Sequence, residues 1–157
     1  MGVLRAERGV EIEAPLARCY EIVADLESTP EWQSTMISLE VLDRDSDGRV
    51  TRAEIVSDAK VRQVTSILAF SYHPPDRMSW TQEKGELKWL EGEWRLKEIE
   101  AGGAGGNGAR TEAIYSLAAD TGRMLGLLIR GPVEGKVKDL LTGDAAEGLK
   151  HRAEAGA

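Results

Sequence analysis

A chain of 157 residues, 41% hydrophobic and 30% charged, has room for one sizeable core and the composition of an ordinary globular protein. Its net charge of -7, with no run of Lys and Arg, argues against nucleic acid and against anionic membrane surfaces as partners. No uninterrupted apolar run spans a bilayer, the opening M-G-V-L-R-A-E-R-G-V has no apolar signal core, and the single cysteine, Cys19, allows no intrachain disulfide. Cytoplasmic residence without an integral membrane segment is the expectation.

In chain order, Val3 to Glu13 alternates weakly and predicts a first strand, ended by Ala14-Pro15. Pro15 suits the first turn of a helix, where its missing N–H costs little. Leu16, Cys19, Tyr20 and Val23 then recur at helical spacing. Asp25 to Pro30 is a break, and Ser28 or Thr29 caps a second short helix expected to carry Trp32 and Met36. From Ile37 the period changes to two. Ile37, Leu39 and Val41 share one face of a strand, and Asp47-Gly48 marks a tight turn. Arg49 to Ala59 returns with Ala53, Ile55 and Ser57 aligned. Val61 to Tyr72 follows with Val64, Ser66, Leu68, Phe70 and Tyr72 aligned. Arg77 to Glu83 aligns Met78, Trp80 and Gln82. Lys88 to Glu100 sets Leu90, Gly92, Trp94 and Leu96 against Glu91, Glu93, Arg95 and Lys97. Gly102 to Gly108 reads as a flexible hairpin loop, and Arg110 to Ala118 closes the sheet with Ala113, Tyr115 and Leu117. Met124 to Arg152 predicts a long helix whose stripe is Leu125, Ile129, Val133, Val137, Leu140, Leu141 and Leu149, with a kink or fresh start at Gly131-Pro132.

Strands joined by short turns pair antiparallel, and a sheet apolar on one face is covered on that face only. The long helix is the natural cover. The fold class predicted is therefore α+β, a curved antiparallel sheet closed by a C-terminal helix, as one domain over residues 1–157 with an ordered core of about residues 3–152.

Two motif matches compete with this reading. Asp43 to Glu54 satisfies the calcium-loop pattern D-x-[DN]-x-[DN]-G-x₅-E at every required position. That loop needs a helix on each side, and both flanks here alternate at period two, so a hairpin is preferred to calcium. Gly103 to Gly108 matches G-x-G-x-x-G, but a strand rather than a helix is predicted after it, so no dinucleotide is expected. His73 and His151 read as surface residues and Cys19 as a packing residue. No catalytic group, metal or cofactor is expected.

The remaining signal is aromatic. Trp32, Phe70, Tyr72, Trp80, Trp94 and Tyr115 fall mostly on the covered face, interleaved with small residues at Ala53, Ser57, Ser66, Gly92 and Ala113. Gly126, Gly131 and Gly135 lighten the helix opposite. Small residues facing small residues leave a cavity, and ligand cavities are apolar with a few polar groups. Its expected wall is Trp32, Met36, Ile55, Leu68, Phe70, Trp80, Leu90, Gly92, Trp94, Tyr115, Leu125, Ile129 and Val133, with Arg62, Ser66 and Gln82 as polar members.

The run E-I-E-A-P-L-A-R-C-Y-E-I-V-A-D-L-E-S-T-P-E-W, Glu11 to Trp32, resembles the opening of the START-like, or SRPBCC, superfamily. V-L-D-R-D-S-D-G-R, S-Y-H-P-P-D-R-M-S-W, L-K-W-L-E-G-E-W-R-L and G-L-K-H-R extend the resemblance from about Val10 to Arg152. It is strongest to the bacterial polyketide cyclase/dehydrase and lipid-transport proteins. The resemblance implies the helix-grip fold, a seven-stranded antiparallel sheet around a long C-terminal helix with a cavity between. It implies one of two functions: a carrier or sequestering protein for a hydrophobic small molecule or lipid, as monomer or homodimer, or an aromatase/cyclase-like enzyme acting on a polyketide-type substrate. The enzyme needs an ionisable group held in the cavity, for which Arg62, Tyr72 and Tyr115 are the candidates.

Overall fold

The structure is a computed structural model that describes residues 3–99 and 108–155. Among them, seven strands form one antiparallel sheet: β1 (Val3–Ile12), β2 (Met36–Arg44), β3 (Val50–Asp58), β4 (Gln63–His73), β5 (Arg77–Gly85), β6 (Trp89–Ile99) and β7 (Arg110–Asp120). Their spatial order is β1-β7-β6-β5-β4-β3-β2. Strands β2 to β7 are successive neighbours, as short antiparallel connections require. β1 and β2 end up at opposite edges because helices separate them in the chain. These are α1 (Leu16–Ala24), a 3-10 turn (Leu26–Ser28) and α2 (Thr29–Trp32); α3 (Gly122–Leu128) and α4 (Pro132–Ala155) follow the sheet. This is the helix-grip arrangement.

The period-two faces hold where pairing is regular. On β4, Val64, Ser66, Leu68 and Phe70 are all buried. On β6, Trp94 and Leu96 are buried while Glu91, Arg95 and Lys97 face solvent. β2 departs from the expectation. Its register slips between Met36 and Ser38, so Ile37 is 45% exposed instead of sharing the covered face with Leu39 and Val41. Met36 itself opens β2 and does not ride on α2, which is four residues long.

The acidic stretch Asp43 to Glu54 is the β2–β3 hairpin. The Asp45 carboxylate accepts from the backbone N–H of Asp47 (2.9 Å) and Arg49 (3.0 Å), closing the turn. Asp43 pairs with Arg52. The helical flanks of a calcium loop are strands here. Of the glycine-rich stretch Gly102 to Gly108, all but Gly108 lies outside the described residues.

The last helix is two helices. Gly131 has φ +69°, a left-handed conformation that Gly adopts freely, and Pro132 opens α4, where its missing N–H is harmless. The buried face of α4 is Val137, Thr142, Ala145, Ala146, Leu149 and Ala153. Small side chains therefore do much of the docking, letting the helix lie close to β1 and, along its flanks, to α1, α2 and β7. The approach to α2 is close: a Cβ at Gly148 would sit 2.2 Å from the Trp32 carbonyl oxygen. Next to this contact, Asp144 ties α4 to the turn after α2. Its carboxylate accepts from Ser34 Oγ (2.7 Å), Thr35 N (2.8 Å) and Thr35 Oγ1 (2.8 Å).

Two apolar clusters result. The larger runs from Ile12, Tyr20 and Val23 through Ile55, Leu68, Phe70, Trp80 and Trp94 to Leu149. The smaller, under the α3–α4 junction, is Ala59, Val64, Leu125, Ile129 and Val137.

Candidate functional site

Between the concave face of the sheet and the helices α2, α3 and α4 lies a cavity of about 130 Å³. Apolar cavities of about 150 Å³ are large enough to hold benzene. Both clusters contribute to its wall. From the larger come Val23, Ile55, Leu68, Phe70, Trp80 and Trp94; from the smaller, Val64, Leu125, Ile129 and Val137. The aromatic side is a chain of ring contacts. Tyr115 lies 5.6 Å from Trp80 and 4.8 Å edge-on from Trp94, Phe70 is 6.4 Å from Trp80, and Trp32 is 6.3 Å from Trp94.

Twelve of the residues read from the sequence line this cavity: Trp32, Met36, Ile55, Ser66, Leu68, Phe70, Trp80, Leu90, Trp94, Tyr115, Leu125 and Ile129. Four do not. Arg62 is exposed, with its guanidinium paired to Glu86 and bonded to the Gln63 carbonyl. It sits in the connection before β4, where the extended pattern that orients side chains has not begun. Gln82 stands behind the wall; it accepts from Ser66 Oγ (2.9 Å) and donates to the Leu87 carbonyl (2.7 Å). Val133 packs against the smaller cluster without reaching the cavity. Gly92 does not open space at all. A Cβ there would lie 2.3 Å from the Trp80 indole, so the ring of the neighbouring strand already fills the position. Ala53 and Ala113 are likewise packed at 0% exposure.

Several lining residues had no period to announce them. Thr29, Gln33 and Thr35 belong to α2 or the turn after it, too short for a repeat. Leu4 and Ala6 come from weakly alternating β1, and Lys138 and Thr142 from α4 beside its apolar stripe.

Most polar groups in the wall are already bonded. Thr35 is held by Asp144, Ser66 by Gln82, and Thr142 Oγ1 donates to the Lys138 carbonyl at 2.7 Å. The Lys138 ammonium pairs with Glu134 at 3.2 Å. Burial pushes the Tyr115 phenol well above the usual tyrosine range; a hydrogen bond from Gln33 opposes the shift, and the Asp144 carboxylate adds to it. Tyr115 is thus a neutral hydrogen-bonding group and not a base. Tyr72 lies outside the cavity. Its hydroxyl donates to the Val50 carbonyl at 2.6 Å, and burial pushes its pKa up to about 12. Cys19 is buried away from the cavity, with its thiol pushed up by burial. Among the described residues no cluster of three His, Cys, Asp or Glu is arranged to hold a metal, and no helix is long and apolar enough to cross a membrane.

The fold recurs in solved structures. A START superfamily protein from Mycobacterium smegmatis aligns over 98% of this chain and 99% of its own, with a TM-score of 0.77 and 19% identity. A protein from Thermus thermophilus aligns over 99% of each chain, with a TM-score of 0.69 and 24% identity. The ZhuI aromatase/cyclase from Streptomyces sp. R1128 aligns over 99% of this chain and 98% of its own, with a TM-score of 0.72 and 15% identity. At these identities the likeness is one of fold. No curated protein matches the chain by sequence. The family profile described as "Polyketide cyclase / dehydrase and lipid transport" matches residues 12–143, and the chain belongs to that family within the START-like fold.

Proposed function

We propose that the chain binds a hydrophobic small molecule or lipid in the cavity between sheet and helices, as a carrier or sequestering protein. The observation that carries this reading is the chemistry of the wall. It is built from aliphatic and aromatic side chains, and its ionisable members are Lys138, already paired, and Tyr115, held neutral. Binding an apolar body needs burial and shape, which such a wall supplies. Acid–base turnover needs a group poised to exchange a proton near working pH, and Tyr115, raised by burial, does not meet that need.

The aromatase/cyclase reading retains Tyr115 alone of its three candidates, since Arg62 and Tyr72 stand outside the cavity. A hydrogen bond from Tyr115 can orient a carbonyl without any chemistry following. The test is native mass spectrometry of the purified protein, with extraction and identification of what it carries, alongside thermal shift against lipids and aromatic ketones. A stoichiometric apolar passenger, or a ligand that raises Tm, supports the carrier. Turnover of a polyketide-type substrate, abolished by Tyr115→Phe, would replace it with the enzyme.

A further inference from the structure

We infer that the outer face of α3, with the connections beside it, is a docking surface for an anionic phospholipid bilayer. α3 is apolar on two sides. Inward it carries Leu125, with Ile129 directly after its end; both are buried and line the cavity. Outward it carries Met124, Leu127 and Leu128, exposed by 82%, 56% and 52%. These stand at i, i+3 and i+4, the spacing that puts side chains on one helix face. Val61 is exposed in the β3–β4 connection, which belongs to the same end because Ala59 packs with Leu125 and Ile129. Val3 is exposed too, and its partner on β7 is Asp120, just before α3. Among the described residues, the other large exposed apolar side chains are Ile37 and Leu42 of the edge strand β2. Scattered apolar residues on a surface are ordinary, but a gathered patch marks a face that is covered in use.

Charge decides what covers it. Residues 58–62, 86–88 and 120–139 carry seven Lys and Arg against five Asp and Glu, a charge of +2 in a chain whose total is -7. The acidity that argues against an anionic surface for the whole molecule therefore lies elsewhere. Lys60, Lys88, Arg123, Arg130 and Lys136 are exposed, and among the described residues no ion pair holds them. Lys88 lies against the start of α3, its Cγ 3.8 Å from where a Cβ of Gly122 would be. Four of the carboxylates are already bonded. Asp58 accepts from Lys60 N (2.8 Å) and Asp120 from Gly122 N (2.9 Å), while Glu86 and Glu134 pair with Arg62 and Lys138. A second copy on this face would bring like charges together. An apolar centre among Lys and Arg suits the headgroup layer of an anionic bilayer, where the leucines reach the acyl boundary and the cations meet phosphate. Docking there sets the cavity beside a phase that dissolves apolar ligands. That consequence rests on the cavity reading; the docking surface does not.

The test is co-sedimentation with vesicles of phosphatidylcholine alone, or with phosphatidylglycerol as about a third of the lipid. The full chain is expected to bind the anionic vesicles at least about tenfold more tightly than the neutral ones, and to be released by added salt. Met124→Gln/Leu127→Gln/Leu128→Gln and Arg123→Gln/Arg130→Gln should each weaken anionic-vesicle binding about tenfold. Ile37→Gln/Leu42→Gln, on β2, should leave it unchanged. All these side chains are exposed, so the variants should stay folded; if the triple variant does not, Leu127→Gln decides by the same assay. No binding of the wild type to anionic vesicles, equal binding to neutral ones, or unchanged binding in the α3 variants overturns the docking surface and leaves the cavity reading standing. So does a wild-type dimer in light scattering that the triple variant abolishes, which would assign the patch to a second copy of the chain.

Discussion

Gly92→Ala is a one-carbon change that should damage both the fold and ligand binding. Gly92 pairs with Trp80 across β5 and β6, and a Cβ at Gly92 would lie 2.3 to 2.4 Å from three atoms of the indole. Ordinary contact begins near 3.4 Å, so the ring must retreat by about 1 Å. It has little room, being 7% exposed and packed against Phe70 and Tyr115. The remaining direction is into the cavity that Trp80 lines. Overpacking of this kind costs about 1–3 kcal/mol. Removing a strand glycine returns about 0.5–1 kcal/mol through the unfolded chain. The net is a loss of about 1–2 kcal/mol, which for a chain of this length lowers Tm by roughly 5 °C. Thermal melts followed by circular dichroism read the first effect, and calorimetric titration with isopropylbenzene the second, expected as about a tenfold loss of affinity. Gly92→Ala/Trp80→Phe should recover part of the lost stability, because the smaller ring clears the new methyl. A variant that melts at or above the wild type, with unchanged affinity, would refute the claim that the indole occupies the space over Gly92.

Three further outcomes follow from the same geometry. Asp144→Ala removes the acceptor of three hydrogen bonds that fasten the turn after α2 to α4. Bonds to a charged group contribute about 1.5–3 kcal/mol, so a loss of about 3 kcal/mol and roughly 10 °C in Tm is expected; a drop under about 2 °C would show the turn is held otherwise. Tyr72 and Tyr115 both have folded pKa values raised above the ordinary tyrosine value, Tyr72 to about 12. The unfolded chain therefore ionises first as pH rises, so the stability these phenols contribute is complete below about pH 10 and is lost above it. Denaturant melts from pH 9 to 12 should show that decline, made shallower by Tyr72→Phe; an identical decline in the variant would exclude Tyr72 as a source. Arg62→Ala removes an exposed ion pair with Glu86, so probe affinity should change less than about twofold and stability by under about 1 kcal/mol. A larger loss of affinity would return Arg62 to the cavity.

The sheet was legible because pairing imposes period two on side chains that meet water on one face and the core on the other. The acidic hairpin was legible because Asp47-Gly48 lies between two such runs. The break at Gly131-Pro132 was legible because both residues are local in their effect. What hid from the sequence has three physical sources. The register slip at Met36 moved Ile37 to solvent, and a bulge has no side-chain period. The docking face of α4 is mostly alanine and threonine, which a search for large apolar residues passes over. The polar end of the cavity sits on α2 and the turn after it, four residues and a few more, where position is set by Asp144 and Gly148 from the far end of the chain. Gly92 was misread for a related reason: a small residue marks space only if no neighbour fills it, and Trp80 does.

The central claim is that an apolar ligand enters the space between the sheet and the helices, and methyl-resolved NMR during titration with isopropylbenzene tests it directly. Binding there predicts progressive shifts at Ile55, Leu68, Leu125 and Val137, which line the cavity, with Val3, Leu42 and Ile114, which do not, left unmoved. Shifts confined to the exposed Leu127 and Leu128 of α3, or no shifts at all, would contradict it.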